Sequence, residues 1–156
     1  MINLEGVDIK GVIYDDSGER IYDIETIHFG MGGFFMNVEK GKSYYTKILH
    51  EGKDYTFPLP VAKSSGISLQ VNNSRENTVK VIIQGTAEFE EKSYYIIGQS
   101  RGRIYFRSKG LIQKRRSIME IPKSNIPDGI FQITLFDENG LPQCERLVFI
   151  DNQRDL

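Results

Sequence analysis

The 156-residue chain holds one cysteine and two histidines. Cys144 alone excludes an intrachain disulfide, so the fold stands without covalent staples, in an oxidising or a reducing compartment alike. One thiol with scattered His28 and His50 gives no structural zinc spacing. Charge of one sign is also lacking: 20 Lys and Arg stand against 21 Asp and Glu, a formal net charge of -1. Nothing in that balance asks for nucleic acid or an anionic membrane as partner. No apolar run approaches the length of a membrane-spanning helix, and MINLEGVDIK is not a basic start followed by an apolar stretch. The chain therefore reads as cytosolic, or as an internal piece of a larger exported protein whose signal lies upstream.

What the chain does contain is short-range alternation. Hydrophobic residues make up 39% and charged residues 26%, enough to build a core. Val7, Ile9 and Ile13 share one parity, DDSG (15–18) breaks the chain, and 21–27 resumes an extended pattern. GFFMNV, SYYTKILH, YTFPLP and SLQV follow as short extended runs, with Pro58 and Pro60 marking an edge. After the polar break NNSREN (72–77), six more strands are predicted in TVKVIIQG, SYYIIGQS, GRIYFRS, SIMEI, GIFQITLFD and ERLVFID. Asn139-Gly140 between two of them is a hairpin signal. LIQKRRSIMEI (111–121) also fits a helical stripe through Leu111, Arg115 and Ile118, while Ser117, Met119 and Ile121 fit a strand equally well. About a dozen strands exceed the seven or so of one sandwich. The expectation is all-β: two tandem small antiparallel β-sandwiches, 1–74 and 75–156, split near NNSREN.

Several stretches carry the letters of chemistry without its spacing. In FGMGGFFMNVEKGKS (29–43), a phosphate loop ending at Gly41-Lys42-Ser43 needs glycine where Met36 stands, and a helix where SYYTKIL reads as strand. A dinucleotide fingerprint from Gly30 and Gly32 needs glycine at Phe35. The basic run RGRIYFRSKGLIQKRR (101–116) has single-strand-binding ingredients, but Arg103, Tyr105 and Arg107 share one strand face over Ile104 and Phe106, the pattern of a solvated face. Glu88, Glu90 and Glu91 are candidates to pair with its arginines. DDSG lacks the later carboxylate of a calcium loop. No nucleophile elbow accompanies the histidines. Cys144 has nothing nearby to lower its pKa and reads as a part-buried small hydrophobe. Tyr44-Tyr45 and Tyr94-Tyr95 each place one ring inward and one outward, and the outward rings are candidate platforms for a sugar or peptide. No catalytic, cofactor-binding or metal-binding residue emerges.

The C-terminal stretch carries a resemblance. Ile126-Pro127, Gly129-Ile130, Gln132-Ile133-Thr134-Leu135-Phe136-Asp137, Asn139-Gly140-Leu141-Pro142 and Glu145-Arg146-Leu147-Val148-Phe149 follow one another. This order resembles a pattern in exported, alpha-2-macroglobulin-like proteins of Bacteroidetes-type bacteria. IIGQSRGRIYF and GMGGFFMNVEKGKSYY with TFPLP resemble the same family's earlier strand pairs. The resemblance implies two consecutive macroglobulin-type domains, each a small fibronectin- or immunoglobulin-like sandwich, in a larger periplasmic, outer-membrane or cell-surface protein. It implies no enzyme, no cofactor, and partners among neighbouring domains and other envelope proteins, with no nucleic acid and no membrane insertion. The alternative it leaves is a glycan- or peptide-binding module of a TonB-dependent uptake system. The family's thioester, Cys-Gly-Glu-Gln, is not matched by Cys144-Glu145-Arg146, which argues against covalent trapping.

Overall fold

The structure is a computed structural model that describes residues 6–27 and 30–152. His28 lies outside the described residues. The chain divides into two compact units, Met1–Ser64 and Ser65–Leu156. Among the described residues there is no α-helix, and the strands pair in antiparallel sheets, as the alternation implied.

The first unit is built from β1 (Lys10–Asp15), β2 (Arg20–Glu25), β3 (Tyr44–His50) and β4 (Lys53–Pro58). They form one sheet in the order β2-β1-β3-β4. Two tight turns make its hairpins. DDSG closes the first through the Gly18 amide, which donates to the Asp15 carbonyl. Glu51 and Gly52 close the second, both with positive φ, as a two-residue hairpin turn requires. YTFPLP falls on β4 at the sheet's edge, where a proline without an N–H is tolerated. GFFMNV departs from expectation: residues 32–39 lie outside any strand. Alternation alone does not make a strand, because a strand needs a neighbour for its backbone groups, and this segment has none among the described strands.

The second unit holds β5 (Ile67–Asn72), β6 (Thr78–Gly85), β7 (Ser93–Ser100), β8 (Arg103–Leu111), β9 (Arg116–Pro122), β10 (Gly129–Phe136) and β11 (Pro142–Ile150). Two sheets result, β5-β6-β9 and β11-β10-β7-β8. Leu69, Val79, Val81, Ile83 and Ile121 of the first pack with Tyr94, Ile96, Phe131, Ile133 and Leu135 of the second in one buried cluster. This is a seven-stranded sandwich whose two inner faces make the core.

Two local expectations are corrected here, and one alternative is decided. NNSREN is the turn joining β5 to β6, with the Asn72 carboxamide oxygen accepting from the Ser74 amide and hydroxyl. The division between units therefore falls ten residues before the expected one, because β5 must bury Leu69 in the second unit's core. At 111–121 the strand alternative prevails: Met119 and Ile121 pair with Val81 and Val79, and Lys114 and Arg115 turn the chain with positive φ. In β8 a bulge opposite Gly98 and Gln99 breaks the alternation, leaving Ile104 55% exposed while Tyr105 and Phe106 pack against the core.

Gly98 is one of the two tightest glycines of this core, with Gly110. A Cβ on Gly98 would stand 2.3 Å from the tip of the fully buried Phe131 ring. Replacing Gly98 by Ala is expected to cost about 1–3 kcal/mol through overpacking. Gly66→Ala, where the added carbon meets nothing within 4 Å, should stay within about 0.5 kcal/mol. Urea unfolding of both variants checks the contrast.

Candidate interaction surfaces

The stretches that looked chemical in the sequence are turns and ion pairs in the structure. Asp15 is fully buried at the end of β1. Its Oδ1 accepts from the Ser17 hydroxyl at 2.6 Å and from the amides of Ser17 and Glu19 at 3.0 and 2.9 Å. Its Oδ2 accepts from Lys42 Nζ at 3.0 Å. Lys42 also lies 3.5 Å from Glu39. The lysine of Gly41-Lys42-Ser43 is thus held by carboxylates, and Ser43 leads into strand β3 rather than a helix. The Ser17 and Lys42 hydrogen bonds hold the Asp15 carboxyl well below the usual carboxylate range, and the same pairing raises Lys42. DDSG and Gly41-Lys42-Ser43 lie far apart along the chain. Only the pairing of β1 with β3 brings them together.

The basic run 101–116 is spread over a hairpin and its far turn. Arg101 and Gly102 form the β7–β8 turn, both at positive φ. Arg103 sits over the Tyr105 ring, 5.5 Å from its centroid, and Lys109 over Tyr95 at 5.3 Å. Glu90, expected as an arginine partner, instead accepts from the backbone amides of Lys114 and Arg115, both at 2.6 Å. Cys144 is part-buried, burial pushes its thiol up, and its sulfur points to the Ile67 carbonyl at 3.9 Å. His50 ends β3, 4.0 Å from Glu51. Among the described residues no three His, Cys, Asp or Glu side chains gather as a metal site.

The tyrosine pairs split as strand geometry demands. Tyr44 and Tyr94 are buried, while Tyr45 is half-buried and Tyr95 exposed. Tyr14 and Tyr45 stack at 5.6 Å between centroids with Lys47 over both rings. Tyr55 and Phe57 stack on the opposite face of the same sheet. The aromatic rings are thus distributed over both faces and do not form one continuous strip.

The most apolar exposed ground in the second unit is the outer face of β11-β10-β7-β8. Ile130 pairs with Phe149, Gln132 pairs with Leu147, and Gln99 pairs with both Gln132 and Ile104. Ile104, Ile130, Leu147 and Phe149 are all exposed, around a Gln99–Gln132 hydrogen bond of 3.0 Å. Lone exposed apolar residues are ordinary, but Ile130, Leu147 and Phe149 on the adjacent strands β10 and β11, with Ile104 beyond Gln99 on β8, form a patch suited to a protein surface. No protein-family model and no curated protein matches the chain.

Asp15 gives a pH prediction. A carboxyl held below its unfolded value of about 3.9 contributes stability that is full above that pH. The contribution is lost as pH falls below about 4 toward the depressed folded value. Asp15→Asn should lower the stability of the first unit at pH 7 and show a smaller further loss between pH 5 and pH 2 than the parent chain. Chemical denaturation at stepped pH, followed through first-unit amide resonances, measures both.

Proposed function

We infer that the chain is a non-catalytic structural and protein-interaction segment of a larger, exported, alpha-2-macroglobulin-like protein of the cell envelope. The observation that carries this reading is the outer face of the second unit's four-stranded sheet, where Ile104, Ile130, Leu147 and Phe149 present apolar side chains to solvent. Such a face gains by being covered, at about 25 cal/mol per Å² of apolar surface removed from water. The two-unit, all-β organisation and the resemblance of 121–150 support the same reading. In it, the units act as spacers, and their outward faces meet neighbouring domains or other envelope proteins.

Among the described residues no helix is long and apolar enough to cross a membrane. The glycan- or peptide-binding alternative is less favoured, because its aromatic rings are divided between two faces.

Antiserum raised against the 156-residue chain tests the reading on fractionated cells of the source organism. The expected signal is a band larger than this chain, in the periplasmic or outer-membrane fraction. A cytosolic band no larger than the chain would overturn it.

A further inference from the structure

We propose that the outer face of β11-β10-β7-β8 docks an acidic amphipathic helix of a separate partner protein, its apolar stripe along β7 and β10 and its flanking carboxylates on Arg107 and Lys109 of β8. The strand pairings lay this face out in cross-strand rows. Ile130 and Phe149 make the first, and Ile104, Gln99, Gln132 and Leu147 the second. Arg107, Ile97, Thr134 and Glu145 make the next, followed by Lys109, Tyr95, Phe136 and Pro142. Ile104, Ile130, Leu147 and Phe149 are each more than half exposed. An open hollow of about 570 Å³ is lined by Tyr95, Ile97 and Phe136 together with Arg107 and Lys109. A smaller one, of about 360 Å³, is lined by Gln99, Arg101, Ile130 and Gln132. Apolar ground thus recurs along the length of the face, and cations follow its β8 side.

Charge selects the partner. Arg101, Arg107 and Lys109 are exposed, and among the described residues no carboxylate pairs with them. The acidic side chain of the rows, Glu145, stands on the opposite flank and accepts from Gln132 and Thr134. The first unit supplies a contrast. Its sheet, β2-β1-β3-β4, has the same order as β8-β7-β10-β11, two hairpins whose first strands lie side by side. A bulge falls after Ile13 in one and after Gly98 in the other. Yet on the first unit's outer face Lys10 already pairs with Glu25, and Arg20 with Asp23. Only the second unit sets exposed, unneutralised cations beside exposed apolar ground, and an acidic, apolar surface is the complement of that arrangement.

The face also selects the shape of its occupant. Backbone groups of a sheet lie in its plane, so its face offers side chains alone. A strand laid there would leave its own amides and carbonyls without partners, whereas a helix satisfies them internally. The dimensions agree. Ile130 and Phe136 lie about 20 Å apart along β10, a span that a helix of about 13 residues covers. Arg107 and Lys109 are successive residues on one face of β8, about 7 Å apart, and carboxylates at helix positions i and i+4 are about 6 Å apart. A second copy of the chain does not supply the helix, since none of the described residues is α-helical. Permanent interfaces are more apolar than this one, while charges at a rim speed and orient a reversible encounter. A separate protein is therefore the occupant. This assignment rests on the reading of the face as a protein-interaction surface.

The probe is a capped helical peptide with leucine along one stripe and glutamate at i and i+4 on one flank. It is titrated into the isotope-labelled full chain at low salt. The expected result is saturable shifts at Ile97, Gln99, Ile104 and Ile130, with affinity at least tenfold above that of the same peptide carrying lysine for glutamate. In the double variant Arg107→Glu, Lys109→Glu the preference should invert, the lysine peptide binding the better. No saturable shift, shifts confined to another face, or equal binding of the two peptides would overturn the proposal. So would tighter binding of a single-stranded oligothymidylate at this face, which would make the occupant a nucleic acid. Concentration-dependent shifts of the same residues in the chain alone would make it a second copy. If the double variant does not fold, the parent chain decides. Its affinity for the glutamate peptide should fall severalfold when salt is raised enough to screen exposed charges, and an affinity indifferent to salt sinks the proposal. Failure here leaves the envelope reading standing, whereas a cytosolic band would remove that reading and leave the titration intact.

Discussion

A β-sheet that is apolar on one face needs a second layer, and this requirement governs the chain more than any side-chain chemistry does. In the second unit it is met. Tyr94, Ile96, Phe131, Ile133 and Leu135 on one sheet face Leu69, Val79, Val81, Ile83 and Ile121 on the other, and none is more than 2% exposed. Gly98 and Gly110 show how close the fit is, since a Cβ at the first would meet the Phe131 ring, and one at the second the Tyr94 hydroxyl oxygen, each at 2.3 Å. The two hydroxyl groups drawn into this interior are answered: Tyr94 exchanges a 2.7 Å hydrogen bond with Ser117, and Ser100 donates to the Ile130 carbonyl.

In the first unit the layer is partial. Ile13 is fully buried and Tyr44 nearly so, yet the flanks of the same face lie open. What holds the centre is partly polar. The Asp15–Lys42 pair joins the β1–β2 turn to the entry of β3, and the Glu39 amide donates to the Tyr44 hydroxyl at 3.0 Å. These contacts hold the end of the segment between β2 and β3 near the sheet, and it has no partner among the described strands.

Much of the fold was legible in period-two hydrophobicity. All six strands expected after NNSREN are present, Pro58 lies on an edge strand, and Asn139-Gly140 turns β10 into β11 with Asp137 accepting from the Asn139 and Leu141 amides. What could not be read was what depends on neighbours. Ile104 turns outward because of a bulge, and a bulge leaves no mark on alternation. FFMNV has strand composition, but a strand also needs a partner. NNSREN has the composition of a linker and of a hairpin turn alike; only the burial of Leu69 decides between them. The exposed patch at Ile104, Ile130, Leu147 and Phe149 was hidden for a related reason. The end of β11, residues 147–150, is a continuous apolar run, and pairing with β10 decides which half of it faces out.

The central claim is that the second unit is a closed sandwich and the first is the same sheet left open. A urea titration followed by amide resonances of individual strands tests it most directly. The account predicts that β1 to β4 lose their native resonances at clearly lower urea than β6, β7 and β10. A single transition, with all strands of both units melting together, would contradict it.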